Sequence, residues 1–217
     1  MKKYYSIIVM GDSIAYGAAD DEGGWAQRLR KYLESKENAS SSYFLYNLGI
    51  GGNTSSDLKE RFELETSKRA VEDVNIIIFE VGINDVSYSK KYKYFRVNKE
   101  KFRENIEWLI EKSREKFTKI IFLGLLPVNE KFTSPLPETY EEFGGLLLKN
   151  SNVQYYNSIL RLICERQKTM FIDMFEEFRK VKYEKLLYDG VHPNTKGHEL
   201  MFKIVKEYLV KNKLIKG

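Results

Sequence analysis

The chain has 217 residues, a formal net charge of +5 at pH 7 and a single cysteine, Cys164. This length suits one α/β domain with a sizeable core, and no change in composition marks a linker, so we expect residues 1–217 to form one domain. Basic residues are interspersed with acidic ones, which argues against a nucleic-acid partner, and one cysteine excludes an intramolecular disulfide framework.

Membrane association and export are not indicated by the sequence. No apolar segment approaches the roughly 20 residues that a membrane-spanning helix needs. The first residues are basic, but the apolar run at 7–10 is shorter than the core of a signal peptide. Cleavage after it would remove a predicted strand, so we expect a cytoplasmic protein without integral membrane association.

Five short, largely apolar segments have the length and β-branched composition of strands buried on both faces of a sheet. They are residues 6–10, 43–48, 75–81, 119–126 and 170–174. Helical spacing of apolar residues occupies the segments between and after them: 25–35, a helix capped by Ser55 or Ser56, 99–116, 152–166 and about 195–213. This alternation predicts a mostly parallel, five-stranded α/β sheet covered on both faces, with right-handed crossovers.

The sequence also predicts the apolar positions of one helix and two irregular segments. Leu58, Phe62 and Leu64 supply the apolar positions of the helix that follows Ser56. Residues 87–97, rich in Tyr and Lys, show no period and are predicted to be a loop. Residues 128–150 form the longest irregular section, a candidate lid or binding loop, in which we expect the apolar run 143–148 to pack on the core.

Ser13 ends the first predicted strand in the sequence Gly11-Asp12-Ser13. Ligands bind outside the carboxyl ends of parallel strands, and the following helix would offer backbone N–H groups to developing negative charge. Ser13 is therefore a candidate nucleophile. The alternative is that Ser13 only caps the next turn, and the Gly-x-Ser-x-Gly elbow of the α/β-hydrolases is absent.

Gly52 follows the second predicted strand, where a residue without Cβ lets a backbone N–H approach a ligand closely. Because Thr54 stands at the third position, the segment does not match Gly-x-Gly-x-x-Gly, and a dinucleotide site is not indicated. The alternative is a plain turn.

Asn84 follows the third predicted strand, and its amide N–H groups would point into the same cleft. Its alternative is a turn-forming role. The neighbouring Asp85 could instead be a metal ligand, but two histidines and the lack of an Asp/Glu cluster at ligand spacing argue against a metal site.

His192 is the candidate general base, because His198 lies within the last helical pattern and is expected to be a surface or packing residue. Asp189 precedes His192 by three residues on a loop with Gly and Pro, close enough to accept the Nδ1–H and fix the tautomer. The alternative is a loop Asp and His that never meet. Four segments that converge at one edge of a sheet indicate a serine hydrolase.

These residues resemble the SGNH hydrolases, also called GDSL esterases and lipases. The resemblance rests on four blocks in the family's order, which span nearly the whole chain: Gly-Asp-Ser at 11–13, a Gly-x-Asn/Asp-Thr type loop at 51–54, Gly-x-Asn-Asp at 82–85 and Asp-x-x-His at 189–192. It implies a flavodoxin-like, three-layer α/β/α fold. It also implies Ser13 as nucleophile, His192 as base and Asp189 as its orienter, with an oxyanion hole formed by the backbone N–H groups of Ser13 and Gly52 and the Asn84 side chain.

The expected reaction is hydrolysis of a small-molecule, lipid or glycan acyl ester through an acyl-enzyme, without a metal or an organic cofactor. Alternatives are a carbohydrate O-deacetylase or an acyltransferase with the same site, and a non-catalytic module that meets a glycan or anionic partner through residues 87–97. Nucleic-acid binding would rest on net charge alone. We expect the pocket walls to come from Tyr16, residues 88–95 and residues 128–148.

Overall fold

The computed structural model describes residues 1–70, 72–134 and 145–216. The strands in these ranges are β1 (Lys3–Gly11), β2 (Ser41–Gly49), β3 (Val74–Glu80), β4 (Tyr88–Ser89), β5 (Tyr94–Phe95), β6 (Lys119–Leu123), β7 (Leu146–Leu147) and β8 (Met170–Ile172). The helices are α1 (Ser13–Tyr16), α2 (Gly24–Ser35), α3 (Ser55–Thr66), α4 (Lys99–Ser113), α5 (Glu130–Thr133), α6 (Asn150–Arg166), α7 (Met174–Arg179) and α8 (Thr195–Lys211), with a 3-10 turn at Tyr183–Leu186.

The central sheet has the strand order β2-β1-β3-β6-β8, and every neighbouring pair is parallel. The predicted five-stranded α/β sheet is therefore confirmed. The strand predicted at 119–126 ends earlier, at Leu123. The reason is that the Leu125 N–H donates to the Asn157 side chain at 2.9 Å and not to a neighbouring strand.

Helices cover both faces of this sheet. The first crossover, from β1 to β2, runs in the direction opposite to the next three, so right-handed connections put α2 on one face and α3, α4 and α6 on the other. Helix packing agrees with this assignment, because α2 contacts α8, α3 contacts α4 and α4 contacts α6. Within the described ranges, no helix has both the length and the apolar character needed to cross a bilayer.

Residues 87–97 are not simply the predicted loop. They contain β4 and β5, which form a small antiparallel sheet with β7 in the order β5-β4-β7. The Phe95 ring packs against Tyr88 and Tyr156, at centroid distances of 5.2 and 5.6 Å. Strands of two residues are too short to produce a visible period in the sequence.

The section at 128–150, the candidate lid or binding loop, contains α5 and β7, while its residues 135–144 lie outside the described residues. Leu146 and Leu148 are buried. The described part of the run 143–148 therefore packs inside the protein, as expected, and residues 143 and 144 lie outside the described residues.

The N-terminus of α3 differs from the prediction in its capping residue. Thr54, not Ser55 or Ser56, is the cap, and it forms a reciprocal capping box with Asp57. The Ser55 N–H donates instead to the buried Asp85 carboxylate at 3.0 Å. Helix α3 is thereby fixed to the segment that follows β3.

The apolar face of α3 includes Leu58 and Phe62, both fully buried, but Leu64 is 79% exposed. Leu64 was predicted to supply one of the apolar positions of this helix, and it does not join Leu58 and Phe62 in the core. Residues two positions apart in sequence are separated by about 200° around the helix axis, so Leu64 lies on the face opposite Phe62. Phe62 packs against Phe79, Trp108 and Phe117 at centroid distances of 5.9 to 6.4 Å.

Truncation of Phe62 should therefore destabilise the protein far more than truncation of Leu64. We expect Phe62→Ala to lower the free energy of unfolding by about 3–5 kcal/mol, because it removes buried aromatic contacts and leaves a cavity. The control Leu64→Ala should change it by no more than about 0.5 kcal/mol. Urea denaturation of both variants measures this, and equal losses would contradict the described orientation of α3.

Candidate active site

The segments that follow β1, β2 and β3 meet at one edge of the central sheet. Ser13 begins α1 just after β1, Gly52 follows β2, and Asn84 follows β3. Because these three strands are parallel neighbours, their carboxyl ends lie side by side. A fourth segment, residues 189–192 before α8, reaches the same edge from the far end of the chain.

Ser13, His192 and Asp189 form one continuous chain of hydrogen bonds. Ser13 Oγ lies 2.8 Å from His192 Nε2, and His192 Nδ1 lies 2.6 Å from Asp189 Oδ2. Because an ionised carboxylate only accepts hydrogen bonds, Nδ1 carries the hydrogen and Nε2 is left to accept one from the Ser13 hydroxyl. This is the tautomer that a general base needs.

The loop at 187–193 holds Asp189 and His192 in this geometry. Asp189 Oδ1 accepts hydrogen bonds from the backbone N–H groups of Val191 and His192, at 2.9 and 2.8 Å. Gly190 has φ +92°, and a Cβ there would lie 2.9 Å from the Cβ of Phe132. The loop therefore requires glycine between the two functional side chains, and Asp189 and His192 meet.

The charges of this pair shift both pKa values. Burial raises the pKa of Asp189, but hydrogen bonds from the His192 side chain and from the backbone outweigh it and lower the pKa to about 2. Burial lowers the pKa of His192, but the hydrogen bond and charge of Asp189, with the charge of Asp12, raise it overall. Asp189 is therefore ionised at neutral pH and stabilises the imidazolium form of His192.

His198 is a packing residue, one of the two roles expected for it. It is fully buried in α8. Its Nδ1 accepts the Trp25 backbone N–H at 3.3 Å, and its Nε2 donates to the Ala18 carbonyl at 3.0 Å. One ring nitrogen thus bonds to the start of α2 and the other to the segment between α1 and α2, and neither bonds to the Ser13 hydroxyl.

The Asn84 amide is half-buried beside Ser13 and Gly52. Its Nδ2 donates to the Asn53 carbonyl at 3.0 Å and to Asp12 Oδ2 at 3.3 Å. Its Oδ1 accepts from Arg96 Nη1 at 3.4 Å, and Arg96 Nη2 donates to the Gly52 carbonyl at 3.1 Å. Arg96 thus links the Gly52 and Asn84 segments.

Gly52 is exposed and has φ +78°, in the left-handed region that favours glycine. No heavy atom lies within 4 Å of the position that its Cβ would occupy, and a Cβ on Gly51 would lie 4.0 Å from the Ser13 Cβ. The backbone of this turn is therefore open to a ligand next to Ser13.

Two arginines that support the site carry no signal in the sequence. Arg61 of α3 donates to Asn53 Oδ1 at 2.8 Å and to the Gly11 and Leu48 carbonyls at 3.0 and 2.8 Å. It joins the ends of β1 and β2 to the turn that carries Gly52. Arg61 and Arg96 lie in charged segments typical of solvated surfaces, so the sequence alone does not distinguish them from their neighbours.

Asp85 is buried and has structural partners. Its carboxylate accepts hydrogen bonds from the N–H and the hydroxyl of Ser55, whose hydroxyl also accepts from Asn105 Nδ2 at 3.0 Å. Burial raises the pKa of Asp85 to about 7, although the Ser55 hydrogen bonds oppose this. In the part of the chain that the structure describes, no group of three or more His, Cys, Asp or Glu residues could hold a metal ion.

Exposed apolar side chains come from the segments that form the site. Tyr16 ends α1, Ile50 precedes the Gly51 turn and Tyr188 precedes Asp189, while Phe132 of α5 contacts the backbone at Gly190. Tyr16 was expected to form a pocket wall, and it is 64% exposed. The segments around the site therefore expose large apolar side chains to solvent.

Comparison with known proteins identifies the family. A model of the GDSL-like lipase/acylhydrolase family matches residues 9–200, which include all four segments of the site. Similar proteins include the uncharacterized lipoprotein YqeF of Bacillus subtilis, 25% identical over 94% of this chain and 89% of its own length. An acetylxylan esterase of Geobacillus stearothermophilus is 26% identical over 71% of this chain and 67% of its own length.

The fold is also that of solved members of this group. The crystal structure of the lipase/acylhydrolase from Enterococcus faecalis superposes with a TM-score of 0.70, at 19% identity, and covers 98% of this chain and 97% of that one. Because the family model spans most of the sequence, the chain belongs to the GDSL-like lipase/acylhydrolase family and is an ester hydrolase.

Proposed function

We propose that this chain hydrolyses carboxylic esters through an acyl-enzyme, with Ser13 as nucleophile, His192 as general acid and base, and Asp189 as the group that orients His192. The observation that supports this proposal is the unbroken chain of hydrogen bonds from Asp189 through His192 to Ser13, with heavy-atom distances of 2.6 and 2.8 Å. Both distances are within the reach that proton transfer requires.

In the first half of the reaction, Ser13 Oγ attacks the ester carbonyl carbon while its proton passes to His192 Nε2. The tetrahedral intermediate then collapses, the alcohol leaves with the proton from Nε2, and the acyl group remains on Ser13 as an ester. In the second half, His192 removes a proton from the water that attacks the acyl-enzyme. The second tetrahedral intermediate then collapses, the carboxylic acid leaves, and Ser13 Oγ takes back the proton from Nε2. Asp189 stays ionised throughout and stabilises the imidazolium.

The oxyanion of both intermediates would be held by the backbone N–H groups of Ser13 and Gly52 and by Asn84 Nδ2. The open space in front of Gly52 supports its part. Both hydrogens of the Asn84 amide are engaged, one with the Asn53 carbonyl and one with Asp12, so the substrate oxygen would take over the longer bond, 3.3 Å to Asp12. Such donors act on charge that develops only in the transition state.

A second candidate function is removal of acetyl groups from a carbohydrate. It is supported by the similarity to an acetylxylan esterase and by the exposed rings of Tyr16, Phe132 and Tyr188, on which a sugar face can stack. Acetate release from an acetylated xylo-oligosaccharide, faster than from a p-nitrophenyl ester of a longer acid, would favour it. Transfer of the acyl group to an added sugar or alcohol would identify an acyltransferase instead.

Ser13→Ala should abolish turnover of short p-nitrophenyl esters. We expect kcat to fall by about four orders of magnitude or more, because the nucleophile is lost while substrate binding remains. Ser158→Ala, on the exposed surface of α6, is the matched control and should keep the wild-type rate. Equal turnover by Ser13→Ala and wild type would refute the assignment, and no turnover by either protein would favour a non-catalytic module.

Asn84→Ala should lower kcat by about two to three orders of magnitude, because one oxyanion donor is removed. Circular dichroism and thermal melting should show that the variant is folded. Asn212→Ala, at the exposed end of α8, serves as the control with wild-type activity. An Asn84→Ala protein that does not fold would instead indicate a purely structural role for Asn84.

The pH dependence of kcat/KM should follow the ionisation of His192. Only the neutral imidazole acts as a base, and its pKa is raised above 6.5. Activity should therefore rise with pH through a midpoint above 6.5 and be lost below it. Asp189→Asn removes the charge that raises this pKa, so the midpoint should move to lower pH and the rate should fall by up to about 10⁴-fold. An unchanged midpoint would contradict the role of Asp189.

A further inference from the structure

Two carboxyl groups lie side by side beneath the Ser13 turn. Glu80 is the last residue of β3 and is 3% exposed, and Asp12 follows β1 and is fully buried. The strands bring them together, since Gly11 pairs with Glu80 and the Asp12 N–H donates to the Glu80 carbonyl at 3.3 Å. The two carboxyl groups lie close enough that each changes the pKa of the other.

The hydrogen-bond partners of this pair locate its proton. Asp12 Oδ1 accepts the Ile14 N–H at 2.9 Å, and Oδ2 accepts from Asn84 Nδ2 at 3.3 Å. The buried Oε2 of Glu80 has no hydrogen-bond partner in the described part of the chain. A bond between two carboxyl groups needs a proton on one of them, and Oε2 is the oxygen left to carry it.

The surrounding charges agree with this placement. Burial and the neighbouring charge of Asp12 raise the pKa of Glu80 well above its ordinary value, while burial raises that of Asp12 only to about 6. The other charged groups that act on Asp12 or sit at this edge are His192, Asp85 and Arg61, whose Nη2 donates to the Gly11 carbonyl. At neutral pH the pair therefore holds one proton and one negative charge.

We propose that Glu80 is a positioning residue of the active site, whose neutral carboxylic acid donates its O–H to Asp12 and holds that carboxylate against the Ile14 N–H and the Asn84 amide. This inference rests on the proposed function. Through Asp12, Glu80 fixes the turn that carries Ser13 and the amide proposed as an oxyanion donor.

The proton also limits the negative charge next to the reacting carbonyl. If Glu80 ionised, a second carboxylate would repel the oxyanion as it develops. Asp12, no longer held by a donor on Glu80, would also lose the position in which it orients the Ile14 N–H and the Asn84 amide. Loss of the Glu80 proton should therefore lower kcat more than it raises KM.

Glu80→Gln and Glu80→Ala separate this role from simple packing. The amide of Glu80→Gln donates an N–H to Asp12 as the acid does, so kcat at neutral pH should stay within about threefold of wild type. Glu80→Ala removes the donor, and we expect kcat to fall by about 10- to 100-fold. Wild-type kcat should also decline at alkaline pH as Glu80 ionises, and Glu80→Gln should lack this decline.

Infrared spectroscopy supplies a readout that does not depend on activity or on Glu80→Ala folding. At neutral pH the difference spectrum between wild type and Glu80→Gln should contain the carbonyl stretching band of a protonated carboxylic acid. A difference spectrum without that band overturns the proposal.

The kinetic results are equally decisive. The proposal fails if Glu80→Gln is as slow as Glu80→Ala, if it keeps the alkaline decline, or if Glu80→Ala equals wild type. Each of these results leaves the wild-type activity and its dependence on Ser13 intact. The proposed function would fail on a different result, namely that the Ser13→Ala variant hydrolyses esters at the wild-type rate.

Discussion

The parallel pairing of β1 with β2 and β3 determines where the site forms. The backbone ladder sets Gly11 beside both Gly49 and Glu80, so the residues that follow each strand emerge at the same edge of the sheet. Arg61 reinforces this arrangement, because its guanidinium bonds to the carbonyls of Gly11 and Leu48. The distance between Ser13 and the Gly51 turn is thus fixed by the sheet itself, and only residues 189–192 are brought in from another part of the chain.

The carboxyl groups at this edge of the sheet differ in how readily they ionise. Asp189 is kept ionised by the hydrogen bonds of its own loop and stabilises the charged form of His192. Three other acids at this edge are buried, and burial raises the pKa of each: Asp12, Glu80 and Asp85. The three buried acids therefore hold their protons more readily than surface carboxyl groups do. Asp189, which supports His192, loses its proton more readily. This asymmetry suits a site in which negative charge develops on the substrate oxygen.

Much of this arrangement is predictable from sequence, because it depends on local patterns. Short buried strands, the helical stripe of α4 and the Gly-Asp-Ser and Asp-x-x-His segments are visible as runs, periods or spacings, and the family assignment follows from the ordered set. Leu64 shows the limit of this reasoning, since an apolar residue next to a helical stripe does not reveal its own side of the helix. The single domain and the cytoplasmic location stay predictions.

Other features depend on contacts between distant segments and have no local signal. The pairing of β4 with β7 joins residues more than fifty positions apart through strands of two residues. Arg96, directly after β5, donates hydrogen bonds to Gly52 and Asn84. The Glu80 carboxyl lies near Asp12 only because β1 and β3 are neighbouring strands. These contacts follow from strand order and packing, which single-sequence patterns do not specify.

Covalent labelling tests the central claim most directly. The hydrogen-bonded chain from Asp189 to Ser13 should activate one hydroxyl among the many serines of the protein. Wild-type protein treated with a fluorophosphonate and analysed by mass spectrometry of its peptides should carry a single adduct, on Ser13, and His192→Ala should be labelled far more slowly. A folded wild-type protein that takes up no label, or that is labelled on a different serine, would contradict the account.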